Sequence, residues 1–198
     1  FTQGADTDLP DDQRYDDGLA TCFDTAPLTE PLDIIGRPSL SLPVALDASE
    51  GMLVARLLDV HPAGPSHRVS LGVLNLSHRA GSAHPAPMVP GLAEKITLRL
   101  DATAYRLRPG HRLRLALSTN YFPLVLPLPT DVTATIALGD AALSLPTPPY
   151  RDITLPEPPG DNPRPAFPQL SEGFETRRVG RDRGTGRASV TVDGSSGW

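Results

Sequence analysis

The chain contains few cysteines, lysines and aromatic residues, and the first two shortages exclude classes of site and partner. Cys22 is the only cysteine, so no intrachain disulfide and no cysteine-built zinc site is expected, and the cellular compartment stays open. The 23 acidic residues outnumber the 18 basic ones, of which Lys95 alone is a lysine, and the net charge is −5. Because affinity for nucleic acid comes from accumulated positive charge, nucleic acid is not expected as a partner.

Long apolar runs are also absent. No stretch approaches the roughly 20 apolar residues that a membrane-spanning helix requires, so a membrane is not expected as a partner. The chain is instead rich in proline and glycine, with 23 and 17 of them in 198 residues. These residues disfavour long helices and favour short strands joined by turns. The length is sufficient for one large domain or two small ones, with a real core.

Apolar and polar residues alternate along much of the chain, which is the pattern of a half-buried β-strand. In residues 39–46 every second position is Leu or Val. The same period predicts further strands at residues 68–79, 95–101, 112–118, 132–138 and 142–145. Short strands at such even spacing predict an all-β sandwich or barrel.

Two segments depart from simple alternation. Residues 51–60 are the most helix-like stretch, but Val54 and Val60 are β-branched and the neighbouring segments are strands, so we predict a strand here as well. In residues 68–79 the apolar phase slips by one position beside Gly72, which predicts a β-bulge there, although a strand that is buried on both sides gives a similar pattern.

The stretch RLRPGHRLRLALSTNYFP (106–123) joins a basic half to an apolar end. Its RPGH sequence (108–111) has proline second and glycine third, as a type II turn prefers. In the strand that follows, the leucines at 113, 115 and 117 are predicted to face the core and Arg112, Arg114, Ala116 and Ser118 to face solvent. The arginines are thus interpreted as one wet face of an amphipathic strand and not as a phosphate-binding patch.

The C-terminal quarter has a different composition. From 146 to 168, nine of 23 residues are proline, so this segment cannot carry a sheet ladder and is predicted to be an extended strap or linker. Residues 176–194 predict a β-hairpin that turns around Gly184-Thr185-Gly186. We therefore expect a β-sandwich domain over 1–145, with an acidic N-terminal segment at 1–15, and a proline-rich strap plus hairpin over 146–198.

No catalytic serine is found in the sequence. An α/β-hydrolase holds its nucleophile in a G-x-S-x-G turn between a strand and a helix. The nearest approaches are GPSHR (64–68) and GSSGW (194–198), which carry Ser66 and Ser196 and lack the closing glycine. We therefore predict no catalytic residue in this chain.

Metal ligands and cofactor motifs are not found either. The histidines show no H-E-x-x-H or similar spacing, and those in loops and turns are interpreted as solvated; they are His61, His67, His78, His84 and His111. The acidic opening lacks the glycine and closing glutamate of a calcium loop, so a mobile terminus is favoured over a weak calcium site; its aspartates are Asp6, Asp8, Asp11, Asp12, Asp16 and Asp17. Cys22 is interpreted as a small buried residue of a strand. No metal and no cofactor is expected.

Three segments together resemble a known family. They are DDQRYDDGLATCFDTAPLTEPLDIIGRPSLSL (11–42) with its Asp-Gln-x-x-x-Asp run, ARLLDVHPAG (55–64) and LRPGHRLRLALSTNYFP (107–123). In this order they resemble the C-terminal β-sandwich of the X-Pro dipeptidyl-peptidase and cocaine esterase-like (CocE/NonD) α/β-hydrolases. The resemblance spans about residues 11 to 145. After Asn120 the family turns polar, whereas this chain continues as the apolar YFPLVLPLP.

The resemblance implies a jelly-roll β-sandwich of the galactose-binding-like type that follows an α/β-hydrolase core and a helical cap. In such enzymes the Ser-Asp-His triad lies in the core, so none of it maps onto this chain. The domain packs on the core and cap, helps to wall the active-site cleft and often makes subunit contacts, which leaves a homodimer open. Since the apolar loop at 121–126 is not expected to stay bare, the candidate interface or cleft-wall residues are Asn120, Tyr121, Phe122 and Pro123.

A second class of function stays open at this point. Jelly rolls also serve as lectins, so the chain could be a binding module for carbohydrate or a surface polymer. Such a module usually exposes several aromatic rings, and the chain has only five Phe, four Tyr and one Trp. A purely structural or dimerising domain is the third alternative, because a fold alone does not fix a function.

Overall fold

The computed structural model describes residues 11–149, 157, 160 and 171–195. Contacts divide the chain into one unit at Asp11–Pro148 and a second unit that contains the C-terminal hairpin. The strap predicted over 146–168 lies mostly outside the described residues. The domain boundaries at 145 and 146 stay predictions.

Strands dominate the first unit, and the single α-helix described is the short α1 (Arg14–Asp17). The strands are β1 (Thr21–Asp24), β2 (Leu32–Gly36), β3 (Ser39–Leu46), β4 (Met52–Val60), β5 (Ser66–Asn75), β6 (Glu94–Arg99), β7 (Thr103–Leu107), β8 (Arg112–Ser118), β9 (Ala134–Ile136) and β10 (Ala142–Ser144). Short 3₁₀ turns occupy Leu76–His78 and Leu138–Asp140. No helix in the described residues is long and apolar enough to cross a membrane.

The strands of this unit form antiparallel sheets around one core. One sheet has the order β1-β8-β4-β5, a second has β10-β3-β6 with β9 also on β3, and β2 pairs with β7. The core between them is almost entirely aliphatic. Buried and more exposed positions alternate along β3 and β6, as the sequence predicts. Its most buried members include Leu40, Leu42, Val44, Leu46, Leu53, Leu57, Ile96, Leu98 and Leu107. The predicted all-β sandwich is confirmed, whereas its jelly-roll connectivity stays a prediction.

The helix-like segment at 51–60 is a strand, as predicted. β4 lies between β5 and β8, and every residue from Leu53 to Asp59 is buried. A strand that is covered on both faces needs no polar face, so its sequence loses the alternation that identifies the other strands. β2 and β7, which pair with each other as a two-stranded sheet, were not predicted.

The predicted bulge at Gly72 is wrong in position. Gly72 pairs regularly with Ala55, and the register instead shifts between Leu57 and Leu58, opposite Ser70 and Arg68. Gly72 faces the core, where an added Cβ would lie 2.4 Å from Leu98 Cδ2 and 2.9 Å from a backbone oxygen. The glycine is therefore needed for close packing between the two sheets.

Replacing Gly72 with alanine is expected to destabilise the chain by about 1–3 kcal/mol, because the extra methyl group overpacks the core against Leu98. Gly139→Ala is the matched control, since a Cβ there meets nothing within 4 Å. Urea unfolding of both variants measures the difference. Equal midpoints for the two variants would show that the sheets are not closely packed at Gly72.

The second unit contains the predicted hairpin. β11 (Phe174–Arg181) and β12 (Ala188–Ser195) pair in antiparallel register from Phe174–Ser195 to Arg181–Ala188. In the turn the Asp182 carboxylate accepts hydrogen bonds from the Gly184 backbone N–H (2.8 Å) and the Thr185 hydroxyl (2.7 Å). The hairpin turn at residues 184–186 is thus confirmed.

Candidate functional site

The outer face of the β1-β8-β4-β5 sheet, turned away from the core, contains a buried arginine. Arg56 lies in the middle of β4 and its side chain is 1% exposed. Its Nη1 lies 2.9 Å from Asp17 Oδ1 and 3.2 Å from Gln13 Oε1, and its guanidinium carbon is 4.9 Å from the centre of the Tyr121 ring. A charge so deeply buried is maintained only where opposite charge and hydrogen bonds surround it.

Asp17 connects Arg56 to a second arginine. Its Oδ2 accepts from Arg114 Nη1 at 3.0 Å, and Arg114 also makes a two-bond pair with the Asp24 carboxylate at 2.7 and 2.8 Å. The Arg114 hydrogen bonds lower the pKa of Asp24, and those same bonds raise the pKa of Arg114. Arg56, Asp17, Arg114 and Asp24 thus form a row of alternating charges that ties α1 to three strands.

The contacts on this face correct the expectations for four residues. Asp17 is buried and paired and does not belong to a mobile acidic terminus. Asp12 is also part of the fold, since its Oδ1 accepts from the Ser66 backbone N–H at 3.2 Å. Arg114 is not simply solvent-facing, and Ala116 beside it is fully buried because α1 and the loop after β8 cover this side of the sheet.

Tyr121 completes the cluster from the loop that follows β8. Its hydroxyl donates to Gln13 Oε1 and accepts from Arg68 Nη1 at 3.1 Å. Burial raises the pKa of the Tyr121 hydroxyl, and the nearby Arg68 and Arg56 partly oppose that shift. Gln13, Asp17, Arg56, Arg68 and Tyr121 are named the anchor cluster below.

The structure separates the four candidate interface residues. Asn120 is exposed, Tyr121 is buried in the anchor cluster, and Phe122 and Pro123 are half-buried, with a cis peptide bond between them. Val125 packs with Val54 and Tyr121, and its backbone N–H donates to the Tyr121 carbonyl at 2.7 Å. Leu126, the next residue, is 67% exposed. One part of the loop is therefore fixed on β4 while another faces outward.

The same loop forms the wall of a shallow cavity of about 100 Å³. Its lining is mixed, with apolar side chains and several polar ones; the residues are Met52, Thr119, Asn120, Pro127, Leu128, Thr130, Asp131 and Val132. Residues 119–132 are named the cleft loop below. Residues 115–150 contain no Arg, Lys or Glu, so Asp131 and Asp140 are the only charged residues in that stretch of the sequence.

A second polar cluster fixes the turn before β8. Asp59, buried at the end of β4, accepts from the Tyr105 hydroxyl at 2.8 Å and lies 2.7 Å from His111 Nδ1. The His61 ring packs edge-on against His111, with centroids 4.7 Å apart. Gly110 has the φ of +84° that the third position of a type II turn requires, so that predicted turn is confirmed.

His111 is therefore not a solvated turn residue, since its side chain is only 12% exposed and paired with Asp59. No group of three or more His, Cys, Asp or Glu in the described residues could hold a metal ion. The hydroxyl of Ser66 is buried and bonds to no described residue, so no histidine activates it. Ser196 lies outside the described residues.

Burial and the hydrogen bond to Asp59 raise the pKa of Tyr105 to about 12. A raised pKa means that folding favours the neutral phenol. This contribution to stability is fully present below the tyrosine reference pKa of 10.0 and is lost as the pH rises from there towards 12.

Titrating the tyrosinate absorbance of the wild type and of Tyr105→Phe is expected to show this shift directly. The substitution should remove the step near pH 12. If Tyr105→Phe instead removed a step near 10, the Asp59 bond and the burial of this ring would be refuted.

The two clusters bring together the three motif segments. The first segment supplies Gln13 and Asp17, the second supplies Arg56 and Asp59, and the third supplies His111, Arg114 and Tyr121. Sequence reasoning predicted Tyr121 as a candidate and missed Gln13, Asp17 and Arg56. The signal available for them was a lone arginine in the most apolar strand and the Asp-Gln-x-x-x-Asp run.

Comparison with known proteins gives consistent matches. The model of the X-Pro dipeptidyl-peptidase C-terminal non-catalytic domain matches residues 2–156. Cocaine esterase from Rhodococcus sp. (strain MB1 Bresler) is 29% identical over 116 residues, which is 58% of this chain and 20% of the esterase. A Xaa-Pro dipeptidyl-peptidase from Streptococcus gordonii is 31% identical over 110 residues, 55% of this chain and 14% of that protein. The chain thus spans about a fifth or less of these relatives.

Two solved structures, of a hydrolase and an aminopeptidase, also superpose on part of this chain. An α-amino acid ester hydrolase superposes with a TM-score of 0.64 at 26% identity, over 71% of this chain and 28% of that one. An aminopeptidase from a marine sediment archaeon, Thaumarchaeota archaeon, superposes with a TM-score of 0.56 at 26% identity, over 59% and 21% of the two chains. The hairpin at 174–195 lies beyond the residues that the family model matches.

Proposed function

Because the chain belongs to the family of X-Pro dipeptidyl-peptidase C-terminal non-catalytic domains, we propose that it serves as the accessory β-sandwich of a serine hydrolase. The parent enzyme cleaves Xaa-Pro amides or acyl esters, and its Ser-Asp-His triad lies in an α/β-hydrolase core outside this chain. The domain packs on that core and on its cap. The cleft loop helps to wall the active site.

One observation carries this proposal: the anchor cluster fixes a loop whose outward part is apolar and nearly uncharged. Tyr121 and Val125 hold the loop on β4, while Leu126 is 67% exposed and Phe122 and Pro123 are only half-buried. The desolvation of a buried ion pair is repaid only where the pair is well aligned and further hydrogen bonds hold its members in place, which favours one fixed arrangement of the cluster. A rigid apolar projection of this kind is suited to docking on another domain.

The carbohydrate-binding alternative has less support. Among the described residues, the large exposed side chains include only two aromatic rings, Tyr15 and Phe174, which belong to different units of the chain. Tyr121 is 5% exposed and its hydroxyl bonds within the anchor cluster, so its ring is not available as a platform for a sugar. A glycan array probed with the chain is expected to show no binding.

Docking can be tested by mixing this chain with the separately expressed upstream part of the protein. Calorimetry or gel filtration is expected to show a one-to-one complex between the chain and the upstream part. The chain alone, at the same concentration, reveals whether it also forms the homodimer that the family resemblance leaves open. The accessory-domain proposal would be overturned if the upstream part folded, hydrolysed its substrate normally and did not bind the chain.

A further inference from the structure

Gln13 joins four separate parts of the fold through one uncharged residue. Its backbone N–H donates to the carbonyl of Ser66 in β5 (2.7 Å), and its carbonyl accepts from the backbone N–H of Asp17 in α1 (2.9 Å). Its side-chain Oε1 accepts from Arg56 of β4 at 3.2 Å and from the Tyr121 hydroxyl of the cleft loop. Gln13 is 1% exposed, so water does not compete for these bonds.

Loss of the Gln13 side-chain amide affects its two hydrogen-bond partners differently. Arg56 keeps Asp17 as a partner when the amide is removed, because its Nη1 lies 2.9 Å from the Asp17 carboxylate and this ion pair does not involve Gln13. Tyr121, in contrast, loses the acceptor of its hydroxyl proton and keeps only the bond that Arg68 donates to it. Removing the amide therefore affects both partners unequally: Arg56 loses a hydrogen bond but keeps the ion pair with Asp17, whereas the Tyr121 hydroxyl is left without an acceptor for its proton.

We propose that Gln13 is a positioning residue, which sets the place of the cleft loop relative to the segment that precedes β1. The inference rests on the proposed function, in which this loop lines the active site. Gln13 touches no substrate; it acts through Tyr121. Because Asn120 directly precedes Tyr121 and lines the cavity with Asp131, a loop released at Tyr121 changes the shape of that wall. Large substrates, which reach the wall, are affected more than small ones.

The test uses the full-length protein and two variants of matched size. Gln13→Met keeps the length of the side chain and removes the acceptor, whereas Gln13→Glu keeps an acceptor oxygen. For Gln13→Met we expect KM for a large p-nitrophenyl ester or Ala-Pro-anilide to rise about tenfold, with kcat within about twofold and little change for p-nitrophenyl acetate. Gln13→Glu should restore KM to within about threefold of wild type.

Two further variants separate positioning from stability. Tyr121→Phe removes the donor of the same bond and also the acceptor of the Arg68 bond, so its KM should rise at least as much as that of Gln13→Met, and the double variant should be no worse than Tyr121→Phe alone. Arg79→Met breaks an unrelated two-bond pair with Glu94 (2.7 and 2.8 Å) and should lower the melting temperature without changing the ratio of the two KM values. If Gln13→Met behaved like Arg79→Met, Gln13 would be a structural residue only and the inference would be overturned.

Failure of the inference is distinguishable from failure of the proposed function. Leu126→Asp, which alters the exposed part of the loop and leaves the Gln13 bonds in place, is measured in the same assay. A changed KM for Leu126→Asp with an unchanged KM for Gln13→Met would overturn the inference alone. If KM were unchanged in both variants, or if the full-length protein hydrolysed neither the esters nor the anilide, both the inference and the proposed function would be overturned.

Discussion

Arg56→Met is expected to lower the melting temperature of the chain by about 6–12 °C. The substitution removes the positive charge that lies 2.9 Å from Asp17, whose side chain is only 4% exposed. Leaving one member of a buried pair without the other costs about 3–5 kcal/mol. Arg114 still contacts Asp17 at 3.0 Å, so we place the loss at the lower end, about 3 kcal/mol, which gives that shift for a chain of this size.

The matched control replaces both partners. Asp17→Leu combined with Arg56→Met removes the buried charges together, so no carboxylate is left unpaired and most of the stability is expected to return. Arg114 keeps its two bonds to Asp24 in that variant. Thermal unfolding followed by circular dichroism measures all three proteins. A single variant as stable as wild type would show that Arg56 is not buried against Asp17.

Leu126→Asp in the full-length protein is expected to lower kcat/KM about tenfold or more. Leu126 is 67% exposed in the chain, so a carboxylate there is well solvated and surface substitutions of this kind change stability by about 0.5 kcal/mol or less. The proposed docking buries the same side chain against the core, and on that proposal losing the leucine contact costs about 1.5–3 kcal/mol. The effect therefore appears only when the core is present.

Leu138→Asp is the matched control, because Leu138 is 59% exposed and lies outside the cleft loop. It is expected to leave both the activity of the full-length protein and the stability of the chain unchanged. Activity lost equally in the two variants would indicate a general effect of added charge. Activity retained in both would contradict docking through the cleft loop.

The strands were predictable wherever one face meets the core and the other meets water. β3 alternates without exception, and its predicted bounds agree with the structure. β2 and β7 were missed because each is short. Their sequences also mix apolar and charged residues within five positions. Gly72 misled the prediction because its missing side chain serves inter-sheet packing and not a bulge.

The anchor cluster could not be predicted from local pattern. Gln13 lies 43 residues from Arg56 and 108 from Tyr121 in sequence, and no periodicity connects such distant positions. A single arginine in an apolar strand indicates that something unusual covers the strand, but it does not identify the partner. The three motif segments do contain members of the anchor cluster, since Gln13, Arg56 and Tyr121 each belong to a different segment.

The most direct test of the accessory-domain account is to assay this chain and the full-length protein side by side for hydrolysis of a p-nitrophenyl ester and an Ala-Pro-anilide. We predict that the full-length protein hydrolyses at least one of them and that the chain hydrolyses neither, because its sequence has no G-x-S-x-G turn and the buried Ser66 hydroxyl has no hydrogen-bond partner among the described residues. Turnover by the chain alone would contradict the account and direct attention to Ser66 and Ser196.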